Sequence, residues 1–355
     1  MKKRLILLVL LSAALQTAFA QTSRLYTSEL GLPNSQINRI CQDRHGYVWM
    51  CSEGGLLRFD GMRFETYRHD RENPRSLTSS SVTDMLEDSQ GTTWVGTANG
   101  LNLFDPEQAS FSLFDLPNSP GTPGNPYIGR LLEVPGRDGG SLLYVATGGA
   151  GIYVIDCASR QPVPERRESL RRHLTTDYIP NLFLDAARRL WILPGEGLPV
   201  ILDADSLEPA TGIRWDVGPH REAGLIRFID LAEDPLTGDI LIRTSAGLYV
   251  FKAGSGIIRP ARNARAAAFV ATSILFDSQA APGEGRSFLV GSDNGGLLQF
   301  DVETEELRPA EISSIRQDTG KWRVTNSIMD SQGNLWLGLY QTGVLVAPIS
   351  MFGFS

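Results

Sequence analysis

Residues 91–105 read GTTWVGTANGLNLFD, and this short stretch decides the fold. It holds a glycine turn, a β-branched and aromatic segment around Trp94, a second turn at Gly100, and an apolar run that ends at Asp105. Apolar runs separated by glycine turns are typical of β-hairpins. One such stretch therefore predicts two strands, and its recurrence along the chain predicts how many hairpins the protein contains.

The tryptophan position recurs seven times at intervals of 45 to 50 residues. It is occupied by Trp49, Trp94, Tyr144, Trp191, Leu241, Leu289 and Trp336. Each copy also has an apolar stretch before the turn and a third strand after the second glycine. A fourth, weaker strand is clearest at 64–67 and 111–114. A period in the forties is characteristic of propeller blades, whose small sheets bury their faces only against each other.

The sequence thus predicts an all-β protein, a seven-bladed β-propeller over residues 21–355. The large residue at the repeated position is expected to fill the gap between neighbouring blades. Copies three to six are degraded, and we interpret this as drift within blades. Residues 24–29, RLYTSE, are predicted to pair as the outermost strand of the last blade and close the ring. The predicted repeats span 35–78, 79–126, 127–177, 178–223, 224–268, 269–321 and 322–355.

The first twenty residues have the features of a signal peptide. A basic start (MKKR) precedes a short apolar run from Leu5 to Leu15, and Ala18-Phe19-Ala20 forms a cleavage site. The apolar run is too short to cross a bilayer, which needs about 20 residues. The sequence therefore predicts an exported, periplasmic protein whose mature chain starts at Gln21.

Composition indicates which classes of partner the protein is not expected to bind. The 355 residues are 42% apolar and 21% charged, with a formal net charge of −7 and no basic cluster. An acidic chain without a basic stripe is not expected to bind nucleic acid or an anionic membrane. No second apolar span follows the leader.

The sequence predicts no catalytic, metal or cofactor site. Its three cysteines, Cys41, Cys51 and Cys157, make no disulfide framework, although a Cys41–Cys51 bridge is an alternative. Cys51 stands where another copy has Gly96, which predicts a small buried residue. The aspartates that begin the turns are interpreted as structural, because Asp bonds its own turn backbone. The four histidines are scattered in turn-like or charged contexts: His45, His69, His173 and His220.

Propellers tend to bind ligands at one mouth of the central channel. The turns between the second and third strands, and the segments that enter each inner strand, are predicted to share that mouth. Aromatic faces beside polar groups suit sugars, because they combine apolar contact with oriented hydrogen bonds. The candidate ligand-binding residues there are Glu53, Asn99, Tyr127, Tyr178, Asp293, Asn294 and Tyr340.

Two stretches carry a family resemblance: GLPNSQINRICQDRHGYVWMCSEGGLLRFDGMRFETY and NPRSLTSSSVTDMLEDSQGTTWVGTANGLNLFD. They resemble the two-component regulator propeller repeat, found in the periplasmic sensor part of hybrid two-component system histidine kinases of Bacteroidota. The resemblance is specific in copies one, two and seven and weak in the others.

The resemblance implies a non-catalytic sensor that responds to glycan fragments and is a fragment of a larger sensor kinase. The implied partners are an oligosaccharide, or a protein that carries the ligand, and downstream kinase domains. Two alternatives remain open: a periplasmic protein-interaction scaffold, and a propeller lyase related to the streptogramin-type lyases. A lyase would need a positioned general base, often a histidine, and none of the four histidines falls in a predicted mouth turn.

Overall fold

The protein is a seven-bladed β-propeller, as the repeat predicts. The computed structural model describes residues 23–117, 124–216, 226–277, 286–293, 295–310 and 321–348. The predicted leader and Asn294 lie outside the described residues. Among the described residues, no helix has the length and apolar character needed to cross a membrane.

The blades are antiparallel sheets whose strands follow chain order from the axis outward. Blades one and two contain β2 (Ile37–Gln42), β3 (Val48–Ser52), β4 (Gly55–Phe59), β5 (Phe64–Tyr67), β6 (Val82–Glu87), β7 (Thr93–Thr97), β8 (Gly100–Asp105) and β9 (Ser110–Phe114). Blades three and four contain β10 (Ile128–Pro135), β11 (Ser141–Thr147), β12 (Ile152–Asp156), β13 (Asn181–Leu184), β14 (Arg189–Leu193) and β15 (Val200–Asp203).

The last three blades follow the same plan. They contain β17 (Phe228–Glu233), β18 (Ile240–Thr244), β19 (Leu248–Lys252), β20 (Ile257–Pro260), β21 (Ala271–Phe276), β22 (Ser287–Ser292), β23 (Leu297–Asp301), β24 (Leu307–Pro309), β25 (Val324–Met329), β26 (Asn334–Leu339) and β27 (Gly343–Pro348). A short strand β16 (Arg214–Trp215) adds to blade five by parallel pairing with β20.

The seven inner strands form a closed ring around the axis. Each one contacts the inner strand of the next blade, and β25 of the last blade contacts β2 of the first. The N-terminal strand β1 (Arg24–Tyr26) pairs with β27, with Tyr26 opposite Val344. The predicted closure is confirmed, and the strand is shorter than predicted because a 3-10 turn (Ser28–Leu30) follows it.

The core lies between blades. Trp94 is fully buried and packs with Ile128, Leu131 and Val145 of the next blade. Burial of a side chain of this size stabilises the fold by roughly 2–3 kcal/mol. All seven residues at the repeated position are buried, including the two leucines that replace the aromatic ring.

In four blades, the aspartate that begins the turn is hydrogen-bonded to the tryptophan of the repeated position. Asp88 accepts the backbone N–H groups of Gln90 and Thr92 with Oδ1, and its Oδ2 accepts Trp94 Nε1 at 2.7 Å. Three other pairs repeat the indole bond at 2.7–2.8 Å: Asp43 with Trp49, Asp185 with Trp191, and Asp330 with Trp336. The structural interpretation of these aspartates is thereby confirmed.

Two short helices depart from the all-strand expectation. Helix α1 (Pro164–Arg171) follows β12 where a fourth strand would lie, and it buries only Leu170. Helix α2 (Ala264–Ala267) is capped by Asn263, which accepts the N–H groups of Arg265 and Ala266. Helices that bury a single residue have no repeating apolar face, which is the signal that reveals a helix in a sequence.

Candidate functional site

The rim of one mouth is built from backbone bonds between turns and strand entries. We call this end of the channel the upper mouth. Gly148 N donates to Tyr127 O at 2.9 Å, and Gly195 N donates to Tyr178 O at 3.0 Å. These bonds hold the turn after the second strand against the segment that enters the inner strand of the same blade.

Two tyrosines stand exposed on this rim. The side chains of Tyr127 and Tyr178 are 46% and 51% exposed. A Cβ added at Gly148 would lie 3.1 Å from the ring of Tyr127, and one at Gly195 would clash with the ring of Tyr178. Glycine therefore lets each ring lie flat against the turn, which leaves aromatic surface facing solvent.

Glu53 lies at the same mouth and acts electrostatically on Tyr127. Burial raises the pKa of Tyr127, and the nearby Tyr178 and Glu53 raise it further. The carboxylate of Glu53 accepts Asn38 Nδ2 at 2.9 Å, and Asn38 also lines the central channel. We call Glu53, Tyr127 and Tyr178 the tyrosine site.

Asp293 and Tyr340 lie together elsewhere on the rim, joined by a residue that the sequence analysis missed. Arg323 Nε lies 2.7 Å from Asp293 Oδ1, and its guanidinium carbon lies 4.4 Å from the Tyr340 ring centre. Arg323 stands at the entry to the last inner strand, whereas the candidates predicted from the sequence are acidic, amide and aromatic residues only.

Asn99 has a structural role in the second blade. Its side chain donates to Thr78 O at 3.2 Å, and its backbone N–H donates to Thr97 Oγ1 at 3.1 Å. Both bonds stabilise the turn between β7 and β8. The structure thus groups the described candidates into the tyrosine site, the Asp293–Arg323–Tyr340 cluster, and a separate Asn99.

Below the mouth, a cavity of about 300 Å³ lies on the propeller axis. Residues of all seven inner strands line it, and these strands carry charged residues that the sequence analysis passed over. We call the residues at one equivalent position in each inner strand the belt: Arg39, Asp84, Arg130, Asn181, Asp230, Ser273 and Asn326. In the sequence, the signal for the belt is a charged residue within an otherwise apolar strand.

The thiols are poor nucleophiles in this fold. All three cysteines are free, and Cys41 packs against Met85 at 3.8 Å between the sulfur atoms. Burial raises the pKa of the Cys41 thiol to about 12 and that of Cys157 to about 12. Thiols with such pKa values stay protonated at neutral pH. Among the residues that the structure describes, no group of three potential metal ligands comes together.

A family model matches part of the chain. The model described as two component regulator propeller matches residues 31–54 and 76–99. These two segments are similar to two-component regulator propeller repeats. They cover the turn, the inner strand and the second strand of the first two blades. No curated protein matches this chain.

Solved structures share the fold of this chain. One is the extracellular domain of a protein described as a hybrid two component system from B. thetaiotaomicron, with 22% identity and a TM-score of 0.68. The match covers 92% of this chain and 41% of that one. A second B. thetaiotaomicron extracellular domain with the same description has 19% identity and a TM-score of 0.67, covering 92% and 40%.

A structure of the mitotic checkpoint complex matches at 13% identity and a TM-score of 0.59, over 88% of this chain and 87% of that one. Such distant likeness shows the propeller fold alone. The chain spans about two fifths of the length of the two bacterial domains.

Proposed function

We propose that this chain is the extracytoplasmic ligand-sensing propeller of a two-component signalling system, and that it is itself non-catalytic. The observation that carries the proposal is the match of residues 31–54 and 76–99 to the regulator propeller model. The fold shared with extracellular domains of two-component systems supports it. The kinase partner would be supplied by further domains of a longer sensor.

We assign the tyrosine site as the ligand site and oligosaccharides as the ligand class. Two exposed aromatic rings offer the apolar surface on which a pyranose ring stacks, and Glu53 offers an acceptor for hydroxyl groups. Ligand binding at this mouth signals only if the ligand binds two states of the sensor with different affinities.

The histidines and thiols support the non-catalytic part of the proposal. His45 lies in the β2–β3 turn, at the end of the blade opposite the upper mouth, and His69 Nδ1 bonds to Leu77 O at 2.7 Å. His173 follows α1. His45 is therefore not a candidate for a base positioned at the upper mouth. His220 lies outside the described residues.

Calorimetric titration of the whole chain against neutral and acidic di- to hexasaccharides tests the proposal. We expect at least one oligosaccharide to bind with one site per chain. The Tyr127→Ala and Tyr178→Ala variants should each weaken its binding by about tenfold, because each removes one stacking surface. Tyr47→Ala is the matched control, since Tyr47 is an exposed tyrosine in the turn before β3, at the opposite end of the blade.

Failure of every oligosaccharide to bind would remove the ligand assignment. Binding that survives both tyrosine substitutions would move the site away from this mouth. Capture of a specific protein in place of any sugar would favour the interaction-scaffold alternative.

A further inference from the structure

The axial cavity is large enough for a solute. Its volume of about 300 Å³ far exceeds the roughly 10–15 Å³ that a single water needs. The residues that line it are mostly polar, in contrast to the dry apolar cavities that stay empty. The cavity therefore holds water, a polar solute or both.

One of its two carboxylates is fully engaged. Asp84 Oδ1 lies 2.7 Å from Arg39 Nε and accepts Met85 N at 2.9 Å. Its Oδ2 accepts Leu131 N at 2.8 Å and lies 3.9 Å from Arg130 Nε. Asp84 is thus shared by two arginines and two backbone donors.

The second carboxylate leaves an arginine without a close counter-ion. Asp230 Oδ1 accepts Asn181 Nδ2 and Leu231 N, both at 3.1 Å. Arg243 stands opposite Asp230 in register, yet its only side-chain hydrogen bond among the described residues is Nη1 to Ala271 O at 3.3 Å. No described carboxylate lies within 4 Å of it. The lining thus carries three arginines and two aspartates.

Arg243 is an exception to the repeat. The residue that pairs with the belt in the second strand of the other blades is small or apolar: Cys51, Gly96, Ala146, Leu193, Gly291 and Gly338. A charged side chain here is unnecessary for the fold, since six blades form without one. An arginine keeps its charge at neutral pH, and a poorly solvated charge is costly unless it is paired.

Unused hydrogen-bond donors surround the same cavity. The buried Oγ1 of Thr83 and the Oγ atoms of Ser273 and Ser327 have no partner. The Nε atoms of Arg130 and Arg243 also make no hydrogen bond. Leaving a buried polar group unpaired costs about 1–3 kcal/mol, so such groups normally bond to protein, to ordered water or to a bound ion. Guanidinium groups only donate, and hydroxyl groups can donate, so the fitting occupant is rich in acceptors.

We propose that the axial cavity binds one small tetrahedral oxyanion of the sulfate or phosphate class, with Arg243 as its principal charge partner. Such an ion presents acceptor oxygens in several directions, which matches donors that come from different blades. The site and its ligand are separate from the tyrosine site, so the two proposals stand or fall independently.

Equilibrium dialysis of the whole chain with radioactive sulfate, at constant ionic strength, tests the proposal. We expect saturable binding of one sulfate per chain, displaced by inorganic phosphate. Arg243→Gln should weaken the binding by at least about tenfold, since it removes a charge-assisted bond. Arg63→Gln is the control, because Arg63 is 87% exposed on the outer part of blade one, and it should bind as the wild type does.

A second variant keeps the test decisive if Arg243→Gln fails to fold. Ser273→Ala removes one unused hydroxyl from the cavity with little change in volume, and it should weaken sulfate binding by several-fold. Melting curves add an independent readout: bound sulfate should raise the wild-type melting temperature with saturation. Sulfate also stabilises proteins in general, but this effect does not saturate with concentration. It should raise the melting temperatures of Arg243→Gln and Ser273→Ala equally.

Absence of saturable sulfate binding to the wild type would overturn the proposal and leave the cavity to water. Undiminished binding in Arg243→Gln would place the ion elsewhere. Chloride that binds as tightly as sulfate would exclude an oxyanion site.

Discussion

At the scale of single residues, the turn aspartate and the tryptophan six positions later act as one structural unit. Asp88 is buried and bonds both the turn backbone and the indole of Trp94. In blade five the tryptophan is replaced by Leu241, and Asp234 bonds Arg286 Nη1 at 2.7 Å and Thr237 Oγ1 at 2.8 Å. In this blade, Arg286 and Thr237 take the place of the indole as partners of the aspartate Oδ2.

Asp88→Ala should lower the free energy of unfolding by about 2–3 kcal/mol, because it leaves the buried indole N–H and two turn N–H groups without an acceptor. Urea denaturation measures the change. Asp60→Ala is the matched control, since Asp60 accepts two backbone N–H groups in an exposed turn, where water replaces it. Equal loss of stability in the two variants would show that the indole bond contributes nothing.

The sequence predicted the roles of these residues and left their connection undetermined. Asp at the start of a turn and Trp in a strand each have a familiar local role. The bond between them depends on the direction in which the turn side chain points, which residue spacing alone does not specify. For the same reason, the mouth positions of Tyr127 and Tyr178 followed from the repeat, whereas the Arg323 contact with Tyr340 did not.

At the scale of elements, closure of the ring depends on a close approach between β1 and β27. Gly343 has a φ of 140°, and a Cβ there would clash with the carbonyl oxygen of Tyr26. Tyr26 is buried against Phe59 of the first blade, at 5.0 Å between ring centres. The closing strand thus ties the last blade to the first.

Gly343→Ala should therefore lower the melting temperature clearly more than Gly61→Ala does. Both glycines have positive φ, but an added Cβ at Gly61 meets no atom within 4 Å. The control accounts for the backbone strain of about 1–2 kcal/mol that any such substitution causes. Equal melting temperatures for the two variants would mean that β1 pairing contributes little stability.

Blades five and six are joined at their outer edges by a buried ion pair. Arg259 Nη1 lies 3.0 Å from Glu305 Oε2, and its Nη2 lies 2.5 Å from Oε1. Burial by itself would raise the pKa of Glu305, but the bonds from Arg259 and from the N–H of Arg262 outweigh it, so the pKa lies below its ordinary value.

A carboxyl whose pKa is lower in the folded state stabilises the fold above its unfolded pKa and loses that contribution as pH falls through its folded pKa. The free energy of unfolding of the wild type should fall as pH decreases below about 4.5, the ordinary value for this side chain. Arg259→Met should show a shallower decrease over the same range, measured by urea denaturation at several pH values. Parallel curves would contradict the assignment.

Element types were largely predictable because the copies repeat the same order of apolar strands and turns. Blades five and six lack the aromatic at the repeated position and still form, since Leu241 and Leu289 are buried among phenylalanines and leucines of neighbouring strands. The parallel strand β16 was not predictable. It is two residues long, and its pairing with β20 depends on a loop path that leaves no periodic signal.

At the scale of the whole molecule, the propeller places two different polar sites on one axis. Asn38 lines the cavity and also donates to Glu53 at the upper mouth, so one side chain lies between the two separate sites. The belt was not predicted because its residues lie at the variable positions between the apolar residues of each inner strand. A ligand at the mouth can inform a signalling partner only by favouring one arrangement of the sensor over another.

Hydrogen exchange of the whole chain, with and without a saturating oligosaccharide from the titrated panel, tests the sensing claim most directly. We expect slower amide exchange at the upper mouth, in 53–55, 148–151 and 177–179, and unchanged exchange in the turns at the opposite end, 43–47 and 88–92. Protection confined to the opposite turns or to the outer strands, with none at the upper mouth, would contradict it.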